Sequence, residues 1–482
     1  MANLWVKKTL SSLQQEAGDE GNPLKRTLTA TSLTMIGIGA IIGAGLFSIT
    51  GTAAAHNAGP AVSISFIIGA VGCLFAGLCY AEFASMIPVA GSAYTYSYAT
   101  LGELLAWIIG WDLVLEYAVG AATVSISWSR YLVKFFENMG IELSPAWTLS
   151  PFDSVTMADG SVVSGVLNLP AVLIVGLTTL LLIRGTKGSA MVTTFIVILK
   201  VAVVLLFIAL GWGYMNPANH DPYFIENTGK FGDFGWSGIV RGAGIIFFAY
   251  IGFDAVSTAA QEAKNPQRDM PIGILLSLAI CTVLYILFGH VLTGLANYKE
   301  FAGADGIAPV AIAIDHTPYT FMKQAIIVAI LAGYTSVILV MLMGQSRVFY
   351  SMSSDGLLPK VFSEVHPTFK TPWKSNTLFF VFVGLFAAFV PARIVGEMTS
   401  IGTLFAFVLV CIGIMVMRKT MPDAPRPFKT PLVPLVPILG ILVCFGMMVG
   451  LPGDTWIRLI VWLALGFIIY FTYGIKNSRL QK

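Results

Sequence analysis

Apolar runs of about twenty residues recur along this chain, separated by short polar stretches, and each is long enough to carry a helix across the hydrocarbon core of a bilayer. Twelve such runs are legible, over 31–56, 60–87, 103–133, 168–184, 189–212, 238–262, 271–296, 321–353, 376–391, 395–417, 433–451 and 455–475. The pattern predicts an all-α integral membrane protein with 12 transmembrane helices. The stretch 1–29 is polar, with Lys7, Lys8, Glu16, Asp19, Glu20, Lys25 and Arg26, and has no short apolar core of the kind a cleaved signal peptide carries. It is expected to be a cytoplasmic N-terminal segment. With that end inside, nineteen of the 28 Lys and Arg fall on the cytoplasmic side and eight on the other. The positive-inside rule then places both termini in the cytoplasm.

Composition narrows the class. Of 482 residues 56% are hydrophobic and 11% charged, against about 25% charged in ordinary globular chains, which excludes a soluble enzyme. The formal charge of +3 offers no clustered basic excess, so nucleic acid is excluded as a partner. The five cysteines, Cys73, Cys79, Cys281, Cys411 and Cys444, all lie in apolar segments, and no disulfide framework is expected. No histidine has a metal-ligand neighbour at helical or loop spacing, and no Ser-His-Asp or phosphate-loop signature occurs. No catalytic residue, metal or cofactor is therefore expected.

Two of the runs read as interrupted helices. The first contains Gly37, Gly39, Gly43 and Gly45 within nine positions, and each helical glycine costs about 1 kcal/mol relative to alanine. Close helix packing through the Gly39/Gly43 pair is the ordinary alternative. The sixth contains Gly242-Ala-Gly-Ile-Ile-Phe-Phe-Ala-Tyr-Ile-Gly-Phe-Asp254, again punctuated by glycine and carrying a mid-membrane Tyr and Asp. Interruptions in helices one and six are what two inverted five-helix repeats would produce. The expected division is 1–29, a first repeat over 30–212, a second over 213–417, and two further helices with a short C-terminal tail over 418–482. Irregular backbone at membrane depth is tolerated only where it is buried in protein or lines a cavity, so the two breaks imply a central site.

Such a site suits a zwitterion. The half-helix beginning near Gly43, Ala44 and Gly45 presents backbone N–H groups and the positive end of its dipole to a carboxylate. Carbonyls at Ile41 and Ile42, and at Phe247, Phe248, Ala249 and Ile251, are expected to accept from an ammonium. Phe248 is either a gate closing over the ligand or a packing residue.

Ionisable groups deep in a membrane are functional hypotheses by default. Lys200 stands about midway along the fifth run. Burial disfavours a bare ammonium, so Lys200 is either a proton carrier or a fixed tether to freed carbonyls of helix one, and either role would make a sodium ion there unnecessary. Glu116 lies midway along helix three with Asp112 one turn earlier. It is read as a proton-linked group, an indirect anchor for the ammonium, or a structural acceptor. Asp254 is expected to brace the unwound part of helix six. Thr335 and Ser336 either accept from Lys200 or bond their own helix. Met341 and Met343 either limit the pocket or pack.

Five stretches together resemble one family: the glycine-rich first helix, 80–96, Phe248-Ala-Tyr-Ile-Gly-Phe-Asp254, Glu262-Ala-Lys-Asn-Pro-Gln-Arg-Asp-Met-Pro271 and Arg347-Val-Phe-Tyr-Ser-Met-Ser-Ser-Asp-Gly-Leu-Leu-Pro359. They resemble the amino acid-polyamine-organocation superfamily, and within it bacterial homologues of the cationic amino acid transporter family such as its Geobacillus member. The resemblance implies a LeuT-type fold of two inverted five-helix repeats plus two helices, in a plasma membrane. It also implies that Gly43, Ala44 and Gly45 hold a substrate carboxylate, that Ile41, Phe248, Ala249 and Ile251 receive its ammonium, and that Lys200 is linked to proton coupling. Glu116 is similar to the acidic residue near the pocket in this branch.

The leading expectation is a secondary transporter importing small neutral L-amino acids such as alanine by proton symport, with protons as coupling ion and membrane lipids as surroundings. Uniport or exchange of arginine or lysine is the alternative. A sensor that binds without translocating is disfavoured, since no signalling domain is evident, and a channel more so, since no filter is. Whether a small membrane subunit accompanies the chain is left open by the sequence.

Overall fold

Thr29 opens the first helix: its side chain accepts from the N–H of Ser32 while its own backbone stays extended, the arrangement of an N-cap. The computed structural model describes residues 3–9, 13, 28–87, 89, 91–156, 161–185, 189–302 and 308–481. Of the N-terminal charges, Glu16, Asp19, Glu20, Lys25 and Arg26 lie outside the described residues, as do Lys187 and Lys482. Helix α1 (Ala30–Ile41) stops where Ile42 turns to ψ 104°. The chain regains helix as α2 (45–58), in which a π turn at Gly45–Ile49 and another at Ala54–Ala58 flank a single α turn. Gly59, at φ +60°, ends it, and Pro60 leads into α3 (Val62–Met86).

A short α4 (Ser92–Thr100) precedes α5 (Glu103–Glu137), whose middle widens into a π turn at Leu115–Val119. A two-stranded hairpin, β1 (Ser154–Thr156) and β2 (Val162–Ser164), caps the loop to α6 (Leu169–Arg184) and α7 (Ser189–Trp212). The next helix, α8 (Gly235–Ile246), breaks at membrane depth: a 3-10 turn at Phe247–Tyr250, an extended Ile251 and a second 3-10 stretch at Asp254–Glu262 follow it. The remainder is α9 (Pro266–Leu295), α10 (Pro309–Asp315), α11 (Lys323–Ser354), α12 (Trp373–Phe389), α13 (Ala392–Thr420), α14 (Leu435–Gly450) and α15 (Gly453–Asn477).

Among the described residues, eight helical segments are long and apolar enough to cross a membrane, and α6, α12 and α14 are shorter apolar helices. The first of the eight, Ala30–Met86, contains the turn at Gly59. The chain is a multi-pass membrane protein, and its outer surface fits one: Leu173, Leu177 and Leu180 on α6, and Ile457, Ile460 and Val461 on α15, are exposed, as lipid-facing positions are. In the interior α9 packs along α3 and α1, and α11 along α5, so the broken segments sit at the centre.

Both ends of the described chain meet on one face. Asn3 N–H donates to Gln481 Oε1 at 2.9 Å. Glu103, buried at the start of α5, accepts from Tyr98 Oη (2.7 Å), from Tyr470 Oη (3.0 Å) and from the Ser478 hydroxyl. On the same face Lys8 pairs with Asp355 at 2.7 Å. The β1–β2 hairpin lies beyond the opposite end of α5, on the other face.

Candidate functional site

The two broken helices touch. A Cβ added to Gly45 would lie 2.2 Å from Ala249 Cα, and one added to Gly252, itself at φ +117°, would lie 2.9 Å from the Ala40 backbone. Glycine is required at both positions because backbone, not a movable side chain, is in the way. Gly43 is looser, its added Cβ meeting Val337 Cγ2 at 3.2 Å. The first N–H groups of α2, from Gly43 to Gly45, have no preceding helical turn to bond to. The carbonyl of Gly43 accepts from Leu46 and Phe47.

Lys200 reaches the same place from α7. It is 1% exposed, and its Nζ donates to the carbonyls of Gly39 at 2.7 Å and Ile42 at 3.0 Å. Its stem lies against Gly333, whose added Cβ would come within 3.0 Å of Lys200 Cε. Thr335 and Ser336 do not accept from it. They donate to Leu331 and Gly333 of their own helix, because the carbonyls of the preceding turn are always within reach of a helical hydroxyl.

Four of the carbonyls expected to face an ammonium already have a donor. Tyr285 Oη on α9 lies 2.8 Å from the Ile41 carbonyl and 2.9 Å from that of Ala249, and bridges the two breaks. Ile42 is engaged by Lys200, and the Phe248 carbonyl accepts from the N–H of Ile251 at 3.3 Å. Buried polar groups pair wherever a partner is in reach. An incoming ammonium must therefore displace or share these donors.

Glu116 sits in the π turn of α5, a local widening that is frequent at functional positions. It is fully buried and faces Asp254, Asp112 and Thr403. Neither of its oxygens accepts a hydrogen bond among the described residues, and the same holds for Asp112 and for Asp254 Oδ1. Asp254 Oδ2 accepts from the Tyr117 hydroxyl and, at 3.4 Å, from Ser92. Asp254 thus ties helix six to α4 and α5, as a bracing residue would. Carboxyl groups facing each other away from water are places where a proton can reside.

A void of about 10 Å³, room for about one water, lies beside the breaks between Ala40, Tyr117, Ile251, Val337, Val340 and Met341. Met341 lines it, whereas Met343 is only partly buried and lies outside it. Phe247 packs edge-on against Phe407, with centroids 5.5 Å apart. Phe248 is 3% exposed and lines neither this void nor the larger one above it. That larger cavity, of about 590 Å³, opens on the face away from the termini and reaches down to Ser48 of α2 and Ile245 of α8.

Four tyrosines escaped the sequence reading. Besides Tyr285 and Tyr117, Tyr131 Oη donates to the Phe47 carbonyl at 2.5 Å, and Tyr334 Oη lies 2.8 Å from Ser48 Oγ. Tyr131 and Tyr334 clamp α2 to α5 and α11. Each is a hydroxyl inside an apolar run that must find a partner when buried, and that requirement was the signal available.

Residues 28–471 match the amino acid permease family. The chain is 44% identical over its whole length to a branched-chain amino acid permease of Bacillus subtilis, of which it covers 99%. It is 42% identical to a methylthioribose transporter of the same organism, covering all of both chains. A vacuolar cationic amino acid transporter of Arabidopsis thaliana is 34% identical over 88% of this chain and 68% of its own length.

Proposed function

Because the chain belongs to the amino acid permease family and is a membrane transporter rather than an enzyme, we propose that it imports small neutral L-amino acids such as alanine by proton symport. The observation that carries this reading is the lining of the void beside the two breaks, which is apolar except for Tyr117. A small uncharged side chain fits such a wall, whereas a guanidinium or ammonium would be left without an acceptor. The branched-chain permease among the relatives favours an uncharged side chain as well, though a larger one.

In this reading the segment Ala30–Met86 counts as two crossings divided at Gly59, and the three shorter apolar helices bring the total to twelve. The breaks in helices one and six make 30–212 and 213–417 the two inverted repeats, with 418–482 outside them. The face where the ends of the chain meet is cytoplasmic, and the membrane is the plasma membrane. Gly43, Ala44 and Gly45 receive the substrate carboxylate on backbone N–H groups, and Ile41, Ile42, Phe247, Ala249 and Ile251 surround the ammonium. Phe248 closes the site, and Met341 limits the side chain admitted. Lys200 and Glu116 carry the coupling proton, and the Lys200 amine stands where a sodium ion would otherwise be needed.

A cationic substrate is the second reading, favoured by the Arabidopsis relative and by Glu116 and Asp254 lying beyond Tyr117. The test is uptake of labelled L-alanine into proteoliposomes under an imposed inward proton gradient in sodium-free buffer, with excess leucine, arginine or methylthioribose as competitor. Gradient-driven accumulation that is lost in Lys200→Met and withstands arginine is expected. Strong competition by arginine, or by methylthioribose, would overturn the neutral amino acid reading, and equal uptake by both proteins would leave Lys200 a tether.

A further inference from the structure

A groove of about 730 Å³ runs down the outside of α9. Arg268, Ile272, Leu275 and Ala279 line it, at spacings of four, three and four that put them on one side of a helix. Pro427 and Phe428, from the loop between α13 and α14, make the facing wall. That wall is held in place: the N–H of Phe428 donates to Ser85 Oγ at 3.3 Å, and that of Thr430 to Glu82 Oε2 at 2.7 Å. Ser85 and Glu82 lie in the last turns of α3, just before α4, whose Tyr94 donates to Asp355. The groove therefore opens on the face where the ends of the chain meet. From Arg268 to Ala279 it descends about 16 Å along the helix, close to one leaflet of a hydrocarbon core about 30 Å thick.

Its two ends differ in chemistry. From Pro271 to Ala279 the α9 side is apolar, whereas Gln267 and Arg268 stand at the end nearer the membrane surface. Arg268 is exposed, and among the described residues its side chain takes part in no hydrogen bond or ion pair. Lys264, four residues before it, and Lys429, next to Phe428, are also exposed. No carboxylate lines the groove. Of the acids nearby in sequence, Asp269 accepts from the N–H of Asn265 at 3.3 Å and Glu262 pairs with Arg347 at 3.5 Å, so neither neutralises Arg268. An open cation above an apolar trough one leaflet deep fits an amphiphile with a negative head. A partner's membrane-crossing helix would need a groove through the full thickness, and a zwitterionic head would set its own ammonium beside the guanidinium.

We propose that this groove binds one anionic phospholipid from the adjoining leaflet, with its phosphate on Arg268 and an acyl chain laid along Ile272, Leu275 and Ala279 against Phe428. The flat guanidinium fork takes two phosphate oxygens at once. Lys264 and Lys429 add to the attraction, since each basic group near a membrane surface draws anionic lipid. The backbone of Lys264 is fixed, its N–H donating to the Leu28 carbonyl at 2.8 Å. The site stands on the groove and its charges, whatever solute the chain carries.

Native mass spectrometry of the full-length protein in mild detergent, mixed with equal amounts of phosphatidylglycerol and phosphatidylethanolamine, tests the proposal, with thermal melting to show that each variant is folded. The wild type is expected to retain one phosphatidylglycerol with a preference of at least about tenfold. Arg268→Gln should lower that preference by about fivefold or more, and Ala279→Trp, which fills the deep end of the groove, should reduce retention of the lipid while leaving Arg268 in place. Lys360→Gln, which removes an exposed cation outside the groove, should change neither. Equal retention of the two lipids by the wild type would overturn the site. So would an unchanged preference in folded Arg268→Gln, or a loss in Lys360→Gln as large as that in Arg268→Gln, which would mean diffuse surface charge. Full displacement of the lipid by millimolar glycerol phosphate, or full retention by Ala279→Trp, would leave an anion contact without a groove and overturn it as well.

Discussion

Gly45 and Ala249 meet backbone to backbone, so that a Cβ on Gly45 would fall 2.2 Å from Ala249 Cα. Neither partner can yield without moving a helix end. Gly45→Ala is therefore expected to force the two breaks apart, at a cost in the range of about 1–3 kcal/mol typical of overpacking, and to reduce the initial rate of amino acid uptake at least about tenfold. Gly43→Ala meets only the tip of Val337 at 3.2 Å, which can turn aside, and should keep its rate within about threefold. Uptake by the two variants, reconstituted at matched density, gives the comparison. Equal rates would mean that the contact does not govern transport.

Tyr285 joins the same two segments by a different bond. Its hydroxyl lies between the carbonyls of Ile41 and Ala249, and Tyr285→Phe would strand both in a buried site, at about 1–3 kcal/mol of lost stability. Thermal melting should fall, and added alanine should restore more of it in the variant than in the wild type, because the ammonium then meets carbonyls with no competing donor. A melting temperature unchanged with or without alanine would exclude Tyr285 from the site.

What the sequence disclosed, and what it withheld, follows from the range of each interaction. The apolar runs, the glycine-marked breaks and the stranded charges of Lys200, Glu116 and Asp254 are properties of single segments, and each stands out against its own neighbours. Tyr285 does not, since a tyrosine in an apolar helix is unremarkable until its partners are known, and those partners lie 244 and 36 residues away. Thr335 and Ser336 carried a real ambiguity between a neighbour and their own helix, and only three-dimensional distance resolves it. The choice between Met341 and Met343 depends on the rotation of α11 about its axis, which the several helices packed around it set and no local pattern encodes.

Met341 lines the void beside the breaks and Met343 lies outside it. Shortening Met341 to alanine should admit larger side chains, and discrimination from a few methylenes is worth about 10- to 200-fold. Leucine, and less strongly arginine, should therefore become better competitors of alanine uptake in Met341→Ala than in the wild type. Met343→Ala should leave the order of competitors unchanged. A shift in Met343→Ala with none in Met341→Ala would move the limiting wall to the other face of the helix.

Glu82 shows the opposite kind of buried charge, one with its partners all in place. It is fully buried on α3 and takes a two-point contact from Arg418, at 2.8 Å to each oxygen, together with the N–H of Thr430 at 2.7 Å. Removing one member of a buried pair strands the other, at about 3–5 kcal/mol. Glu82→Ala should therefore lower the melting temperature and the yield of folded protein sharply. The half-saturation constant of the protein that does fold should stay near the wild-type value, since this pair secures the loop between α13 and α14 and not the breaks. A changed half-saturation constant at normal stability would reverse that assignment.

Lys200 and Gly333 give the sharpest separation of tether from coupling. The amine is fixed by two carbonyls of helix one, and the stem is fixed by Gly333, where an added Cβ would stand 3.0 Å from Cε. A methionine at 200 would remove the amine and strand both carbonyls, so Lys200→Met confounds lost coupling with lost stability. Gly333→Ala leaves the amine present but pushes the stem toward helix one, disturbing position alone. If the amine carries the proton, uptake by the wild type should rise as the outside is acidified, and Lys200→Met should lose that rise while still exchanging labelled for unlabelled alanine across the membrane. Gly333→Ala should then keep the rise at a reduced rate. An acid-driven rise that survives in Lys200→Met would instead move the coupling to Glu116 and Asp254, whose facing carboxyl groups are another place in the core where a proton can be held.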